Sequence, residues 1–185
     1  MIKCLTNIID ESEINVIKER FHAAYLSRCN ADYSRNIFDC ADDPKIRPIC
    51  DNIAIKLKKY LPDKYHMSTG KGGITLVDAP SFKGNQSWHR DGDHDMIIVL
   101  FPCVNITNNG ATQVIPDSEH LQPRQWRQNL KNMIEYHLNA GDALIFSGKL
   151  LHRGLTNHTN NRRPIVTLTF VPDGGIEFNQ ELIMF

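Results

Sequence analysis

The stretch Arg163-Pro-Ile-Val-Thr-Leu-Thr-Phe-Val171 decides the fold. Ile165, Thr167 and Thr169 alternate with Val166, Leu168 and Phe170, the two-residue period of a β-strand whose two faces meet different surroundings. One arrangement turns the polar set inward and lines a barrel cavity with hydroxyls and Arg163. The other buries the apolar set and leaves the hydroxyls in water. Alternation alone does not choose between them. Working back along the chain, short β-type runs recur between Gly, Asn, Asp and Pro, at residues 73–77, 85–89, 96–103, 111–115, 133–138 and 143–146. Residues 65–69 add a further candidate strand, residues 117–128 have room for a short helix, and Thr107-Asn-Asn-Gly110 has the composition of a hairpin loop.

Before residue 62 the period is helical. Ile14, Ile17, Phe21, Ala24 and Tyr25 recur at helical spacing over residues 11–27, behind an acidic start. Asp43-Pro44 opens a second run through Ile46, Ile49, Ile53, Ile55, Leu57 and Leu61, which Pro62 ends. Two helices followed by seven or eight strands predict an α+β, mainly β protein whose strand half closes as a sandwich or barrel.

The chain has 185 residues, 41% hydrophobic and 23% charged, a mixture that excludes fibrous and disordered classes. This length fits a single domain over residues 1–185, with a helical part at 1–62 and a strand core at 63–185. Twenty-one basic residues balance twenty-one acidic ones, without the basic excess that phosphate neutralisation demands, so no nucleic-acid partner is expected. The N-terminus lacks a signal-peptide core, and no run approaches the roughly 18 apolar residues of a membrane span, so the expectation is a cytoplasmic protein with no membrane partner. Five scattered cysteines (Cys4, Cys29, Cys40, Cys50, Cys103) without a Cys-x-x-Cys fit reduced thiols.

Among eight histidines, His89 stands out because Asp91 follows at i+2, and on a strand such residues share a face. Both could reach one ion. A third ligand from a distant strand would complete two imidazoles and one carboxylate, leaving positions of an octahedral iron open for a co-substrate and oxygen. His152, just past the strand at 142–147, is the best candidate. Arg163 lies eleven residues further on, and a permanently charged fork suits the far end of a dicarboxylate. Within His89-Arg-Asp-Gly-Asp-His-Asp95, Asp93, His94 or Asp95 could replace Asp91, but Gly92 marks a bend that turns Asp93 away from the shared face.

These residues resemble the phytanoyl-CoA dioxygenase family of Fe(II)/2-oxoglutarate-dependent oxygenases. The resemblance is carried by Trp88-His89-Arg90-Asp91, by Asn108-Asn-Gly-Ala-Thr-Gln-Val-Ile-Pro-Asp-Ser-Glu-His120, by Ala140-Gly-Asp-Ala-Leu-Ile-Phe-Ser-Gly-Lys-Leu-Leu-His152-Arg-Gly, and by Asn157 and Arg163, in that order. It covers about residues 74–172 and implies a double-stranded β-helix, or cupin-like jelly-roll, with the N-terminal helices packed on one sheet. It also implies that His89, Asp91 and His152 hold Fe(II), that 2-oxoglutarate binds there as co-substrate with its distal carboxylate on Arg163, and that O2 is consumed. The products would be succinate, carbon dioxide and a hydroxylated or desaturated small molecule. Related halogenases lack the carboxylate that Asp91 supplies, which favours hydroxylation or desaturation.

Two departures stand out. Gly154 occupies the place where the family often has Ser or Thr, so Thr167, Gln86 or Asn157 would supply that contact to the co-substrate. The turn Pro116-Asp-Ser-Glu-His120 is one residue longer than the family's Pro-Gly-Ser-His. Gly141-Asp142 and Pro116-Asp-Ser have the physical signature of turns. Trp126, with Arg124 and Arg127, could form a lid or anchor its loop. Other classes that fit the ligands are a non-catalytic metal-binding jelly-roll sensor and a cupin-like metal isomerase or hydrolase, neither of which needs Arg163. The expected partner is a small-molecule substrate. The protein would act as a monomer or homodimer, the apolar tail Leu182-Ile-Met-Phe185 being docked on the domain or offered to a second copy.

Overall fold

Asp10 opens the first helix because its carboxylate accepts the Glu13 N–H (2.9 Å) and the Ser12 hydroxyl (2.6 Å), while Glu13 accepts the Asp10 N–H (3.1 Å). This reciprocal cap satisfies donors that a first helical turn leaves open. Asp43 does the same for the second helix, accepting the N–H groups of Lys45 (2.9 Å) and Ile46 (3.1 Å). The computed structural model describes residues 1–28, 36–107, 109–122, 125–177 and 183–184. Cys29, Asn108, Arg124, Leu182 and Phe185 lie outside them.

The chain runs β1 (Ile2–Leu5), α1 (Glu11–Arg28), β2 (Asn36–Asp39), α2 (Ile46–Leu57), β3 (Tyr65–Met67), β4 (Ile74–Ala79), β5 (His89–Arg90) and β6 (Ile97–Pro102). It continues through β7 (Thr112–Val114), α3 (Trp126–Asn129), β8 (Ile134–Tyr136), β9 (Ala143–Ser147), β10 (His152–Gly154), β11 (Arg163–Pro172) and β12 (Ile183–Met184). One antiparallel sheet has the order β1-β9-β6-β11-β4-β2, with β3 also paired to β11; the other has the order β12-β5-β10-β7-β8. The two sheets face each other as a jelly-roll, and the helices cover the outer face of the larger one.

Strand β11 shows why. Val166, Leu168 and Phe170 join an apolar cluster with Ile17 and Phe21 of α1 and Ile46, Cys50, Ile53 and Leu57 of α2. Ile165 and Val171 join the inter-sheet cluster of Ile98, Leu100, Leu144 and Phe146, and Thr167 and Thr169 line a cavity beside them. The hydroxyl set therefore points inward, and the apolar set is buried as well because two helices lie over it. Each fully buried aliphatic side chain in that layer contributes about 1.5–3 kcal/mol.

Several elements differ from the sequence-based expectation. Strands β1 and β2 extend the larger sheet from within the first 62 residues. Both are edge strands of four residues, too short to carry a period. The expected strand at 85–89 shrinks to His89–Arg90. Upstream of it, the Gln86 side chain takes the place of a ladder carbonyl, accepting the Gly154 N–H (2.8 Å), while the Gln86 N–H reaches the Gly154 carbonyl (2.9 Å). The hairpin expected at 107–110 does not join β6 to β7, which belong to different sheets, so the chain crosses from one sheet to the other between them. The Asn109 amide fastens the crossing, accepting the Thr107 N–H (2.7 Å) and donating to the Asn105 carbonyl (2.9 Å).

The tail docks on the domain through β12, where Ile183 pairs with Arg90 and Met184 with His89. Among the described residues Cys4, Cys40, Cys50 and Cys103 are free thiols. Burial pushes Cys40 up to about 11 and Cys103 up to about 12, so neither is a thiolate at neutral pH. No helix among the described residues is long and apolar enough to cross a membrane.

Candidate metal centre

His89 on β5 and His152 on β10 are direct cross-strand partners, so both imidazoles leave the same face of the smaller sheet, toward the larger one. The Nδ1 of His89 lies 2.8 Å from the Ser87 carbonyl oxygen and the Nδ1 of His152 lies 2.9 Å from that of Leu150. A carbonyl only accepts, so each Nδ1 carries a proton, and in the neutral ring the lone pair is then on Nε2. This is the tautomer a metal requires, set by a hydrogen bond on the far side of each ring.

Asp91 completes the group. Its Oδ1 lies 3.9 Å from His89 Nε2 and its Oδ2 3.5 Å from His152 Nε2. All three ligand atoms lie within 4.8 Å of one another, and no other His, Cys, Asp or Glu group among the described residues comes together in this way. The Asp91 N–H donates to the Gly148 carbonyl (2.9 Å), which fixes the backbone just past β5. Gly92 and Gly148 close on the buried Met96 so tightly that a Cβ would fall 2.5 Å from its Cε at Gly92 and 2.4 Å from its Cγ at Gly148. Close approach therefore favours glycine at 148, where the inner atoms of Met96 would have to move, whereas at 92 only the flexible end of that side chain would give way. Two imidazoles and one carboxylate on one side, with the opposite side open to a cavity, form the facial donor set that suits a six-coordinate iron and leaves positions for further ligands.

The cavity holds about 770 Å³ of empty space, mouth included, and contains His89, Asp91, His152, Gln86, Thr167 and Arg163 together. Arg163 starts β11, is 2% exposed, and is the largest fully buried side chain among the described residues. Burying a guanidinium is costly unless polar groups or an anion meet it, and here it faces a cavity whose other polar residues include Thr75, Thr167 and Thr169. Its neighbour Arg162 faces away, paired with Asp78 and lying over the Phe21 ring.

Asn157 is fully buried and is not part of the cavity wall. Its amide donates to the carbonyls of Ala79 (2.9 Å) and Asn161 (2.6 Å) and accepts from the Thr159 N–H (3.0 Å) and hydroxyl (2.8 Å). Since Ala79 is the β-partner of Arg163, Asn157 braces the turn that delivers Arg163. Asp93 and Asp95 sit outside the ligand group. The Asp93 side chain is 86% exposed beside His94, and Asp95 pairs with Lys149 at 2.7 Å. Trp126 packs with Trp88, Ile115 and Leu151 behind the smaller sheet, as an anchor of its loop.

Thr75, Thr112 and Ile37 also line the cavity and were not singled out from sequence. Thr75 is recoverable from strand alternation, since it sits opposite Thr167 with their hydroxyls in contact. Ile37 has no comparable signal, because nothing in the sequence announces β2.

A model of the family described as phytanoyl-CoA dioxygenase (PhyH) matches residues 19–165. Among curated proteins, the dioxygenase sphC of Aspergillus fumigatus is 34% identical over 83 residues, covering 44% of this chain and 23% of that protein. The dioxygenase ALT11 of Alternaria alternata is 36% identical over 81 residues, covering 43% and 26%. This chain spans about a quarter of the length of these curated relatives. Among solved structures, HygX of Streptomyces hygroscopicus with nickel and 2-oxoglutarate bound superposes with a TM-score of 0.72 at 10% identity, covering 95% of this chain and 84% of that one.

Proposed function

Because the chain belongs to the phytanoyl-CoA dioxygenase family, we propose that it is a single-domain Fe(II)- and 2-oxoglutarate-dependent dioxygenase that hydroxylates or desaturates a small molecule, releasing succinate and carbon dioxide. The observation that carries this reading is the convergence on one cavity of the His89, Asp91 and His152 donors and the buried guanidinium of Arg163. A metal-binding sensor, isomerase or hydrolase needs the first group but not the second. HygX, whose structure holds 2-oxoglutarate, has the same fold.

In this reading His89, Asp91 and His152 hold the metal, and the Ser87 and Leu150 carbonyls keep both imidazoles in the coordinating tautomer. Bound there, iron would supply the oxidation of 2-oxoglutarate by O2 and, coupled to it, the oxidation of a substrate C–H bond. Arg163 pairs with the distal carboxylate of the co-substrate, in a cavity that Thr75, Thr167 and Gln86 also line. Gln86 and Thr167 thereby stand in for the hydroxyl that Gly154 lacks, and Asn157 supports Arg163 from behind. The aliphatic wall of Val77, Ile98, Leu100 and Ile165 excludes water from the reacting groups.

The test is aerobic turnover with added Fe(II), measuring succinate formed from 2-oxoglutarate. Iron-dependent succinate release that Asp91→Ala abolishes supports the reading. No succinate from the wild type, together with hydrolase or isomerase activity on zinc or manganese loading, contradicts it.

A further inference from the structure

We propose that Arg90 and Ser118 are positioning residues for the metal centre, clasping from outside the two strands that carry its ligands; this rests on the metal-binding reading above. Strand β5 has two residues and β10 three, and they share the single registered pair His89 and His152. A ladder that short does little to hold two imidazoles and a carboxylate at fixed separations. Polar contacts on the outer side of the sheet take over that task.

Arg90 stands between His89 and Asp91 and points to the opposite face from both. Its guanidinium donates through Nε to the Lys149 carbonyl (2.7 Å) and through Nη2 to the carbonyls of Ser118 (2.7 Å) and Leu121 (2.8 Å). Ser118 is fully buried. Its hydroxyl donates to the Ile115 carbonyl (2.6 Å) and accepts the Leu151 N–H (2.8 Å). Leu151 immediately precedes His152. Lys149 immediately follows Gly148, whose carbonyl accepts the Asp91 N–H. His89 and Asp91 thus flank Arg90 in sequence, and His152 follows the residue whose N–H Ser118 accepts.

The chemistry of the clasp fits this task. A guanidinium presents a planar fork of donors that reaches several acceptors at once, whereas a lysine ammonium is a point charge on a flexible stem. Hydrogen bonds from a charged donor are about twice as strong as neutral ones. Groups hydrogen-bonded to metal ligands typically change metal affinity by about 10- to 100-fold when removed, and the clasp acts on the backbone that carries those ligands.

The experiment is an anaerobic titration of the metal-stripped full chain with Co(II), following its visible ligand-field absorption, for the wild type, Arg90→Met, Arg90→Lys, Ser118→Ala and Asp91→Ala. Arg90→Met and Ser118→Ala are expected to bind Co(II) about 10- to 100-fold more weakly, with altered band shapes. Arg90→Lys keeps the charge but not the fork, and should resemble Arg90→Met more than the wild type. If Arg90→Met does not fold, Ser118→Ala carries the test, since it removes one oxygen and no charge. Wild-type affinity and band shape in Ser118→Ala and the Arg90 variants, with Asp91→Ala devoid of signal, would overturn the clasp and leave the metal centre standing. A wild type that takes up no Co(II), or takes it up as well as Asp91→Ala does, would overturn both.

Discussion

In the larger sheet β11 runs ten residues, registered against β4 from Arg163 to Leu168 and against β6 from Ile165 to Phe170, with apolar layers on both faces. In the smaller sheet the strands are two or three residues long, and much of their geometry comes from side chains reaching backbone groups: Gln86 to Gly154, Arg90 to Lys149, Ser118 to Leu151. The contrast separates two jobs. Long ladders sealed by helices supply stability enough to carry a few buried polar groups, Thr75, Arg163 and Thr169 among them, on the face turned to the cavity. Short strands pinned by polar groups leave a face on which two histidines and an aspartate can point into a cavity.

If this division holds, stability and metal binding should come apart under mutation. The largest expected effect is on activity. Asp91→Ala or His152→Ala should abolish succinate formation while shifting the melting temperature by less than about 3 °C, since roughly 1 kcal/mol corresponds to 2–4 °C at this size. Comparable losses of activity and of thermal stability would show that the ligands also hold the fold.

The converse substitution lies under the larger sheet. Ile53 is fully buried between α2 and that sheet, and Ile53→Ala should cost about 2–5 kcal/mol. A drop in melting temperature of about 5–15 °C with unchanged metal affinity is the expected pair of readings. Weakened metal binding in the folded variant would join the two regions that the comparison keeps apart.

Arg163 sharpens the comparison because it sits on the long strand yet faces the shared cavity. Arg163→Ala should raise the 2-oxoglutarate requirement by about 10- to 100-fold, the value of a charged hydrogen bond of some 1.5–3 kcal/mol, and change iron affinity far less. Unaltered dependence on 2-oxoglutarate would remove the assignment.

The smallest effect concerns the end of the larger sheet, where His66 on β3 lies between Glu177 (3.1 Å) and Asp173 (2.9 Å). Glu177, then Asp173, raise the His66 pKa above the ordinary 6.5. Hydrogen bonds from Ser68 first, and then His66, hold Glu177 at about 2 instead of 4.5. The His66 contribution is complete below about pH 6.5 and is lost as pH rises through its raised folded value. The Glu177 contribution is complete above about pH 4.5 and is lost as pH falls toward 2. The clamp is tightest between those limits. Both groups are well exposed, so its value is below about 1 kcal/mol. Amide exchange of residues 65–67, corrected for its intrinsic pH dependence, should show protection falling above pH 6.5 in the wild type and a smaller step in Glu177→Gln, where only Asp173 still faces His66.

The parts of this account that were legible in the sequence share one property: they repeat, or they bring charge into a strand. Alternation along β11 identified a two-faced strand, and the i+2 spacing of His89 and Asp91 placed both on one side of the chain at β5 and just past it. His152 and Arg163 followed from the order of strands and from the resemblance to a family. What alternation left open was the identity of each face, because helices that bury the apolar side of β11 make both faces interior. Strands β1 and β2 were hidden because four residues at a sheet edge carry no period. Asn157 was legible only by residue type: an amide has four hydrogen-bonding positions, and which groups take them depends on Ala79, Thr159 and Asn161 in space. Arg90 and Ser118 were invisible as a pair, since most of their partners are backbone carbonyls, which every residue has.

The central claim is that the three donors and Arg163 serve one co-substrate. Its most direct test is an anaerobic titration of the iron-loaded protein with 2-oxoglutarate, following the visible charge-transfer absorption of a bidentate chelate. The account predicts a saturable band that Asp91→Ala loses and that Arg163→Ala displaces to higher 2-oxoglutarate concentration. Iron uptake with no band at any 2-oxoglutarate concentration would contradict it.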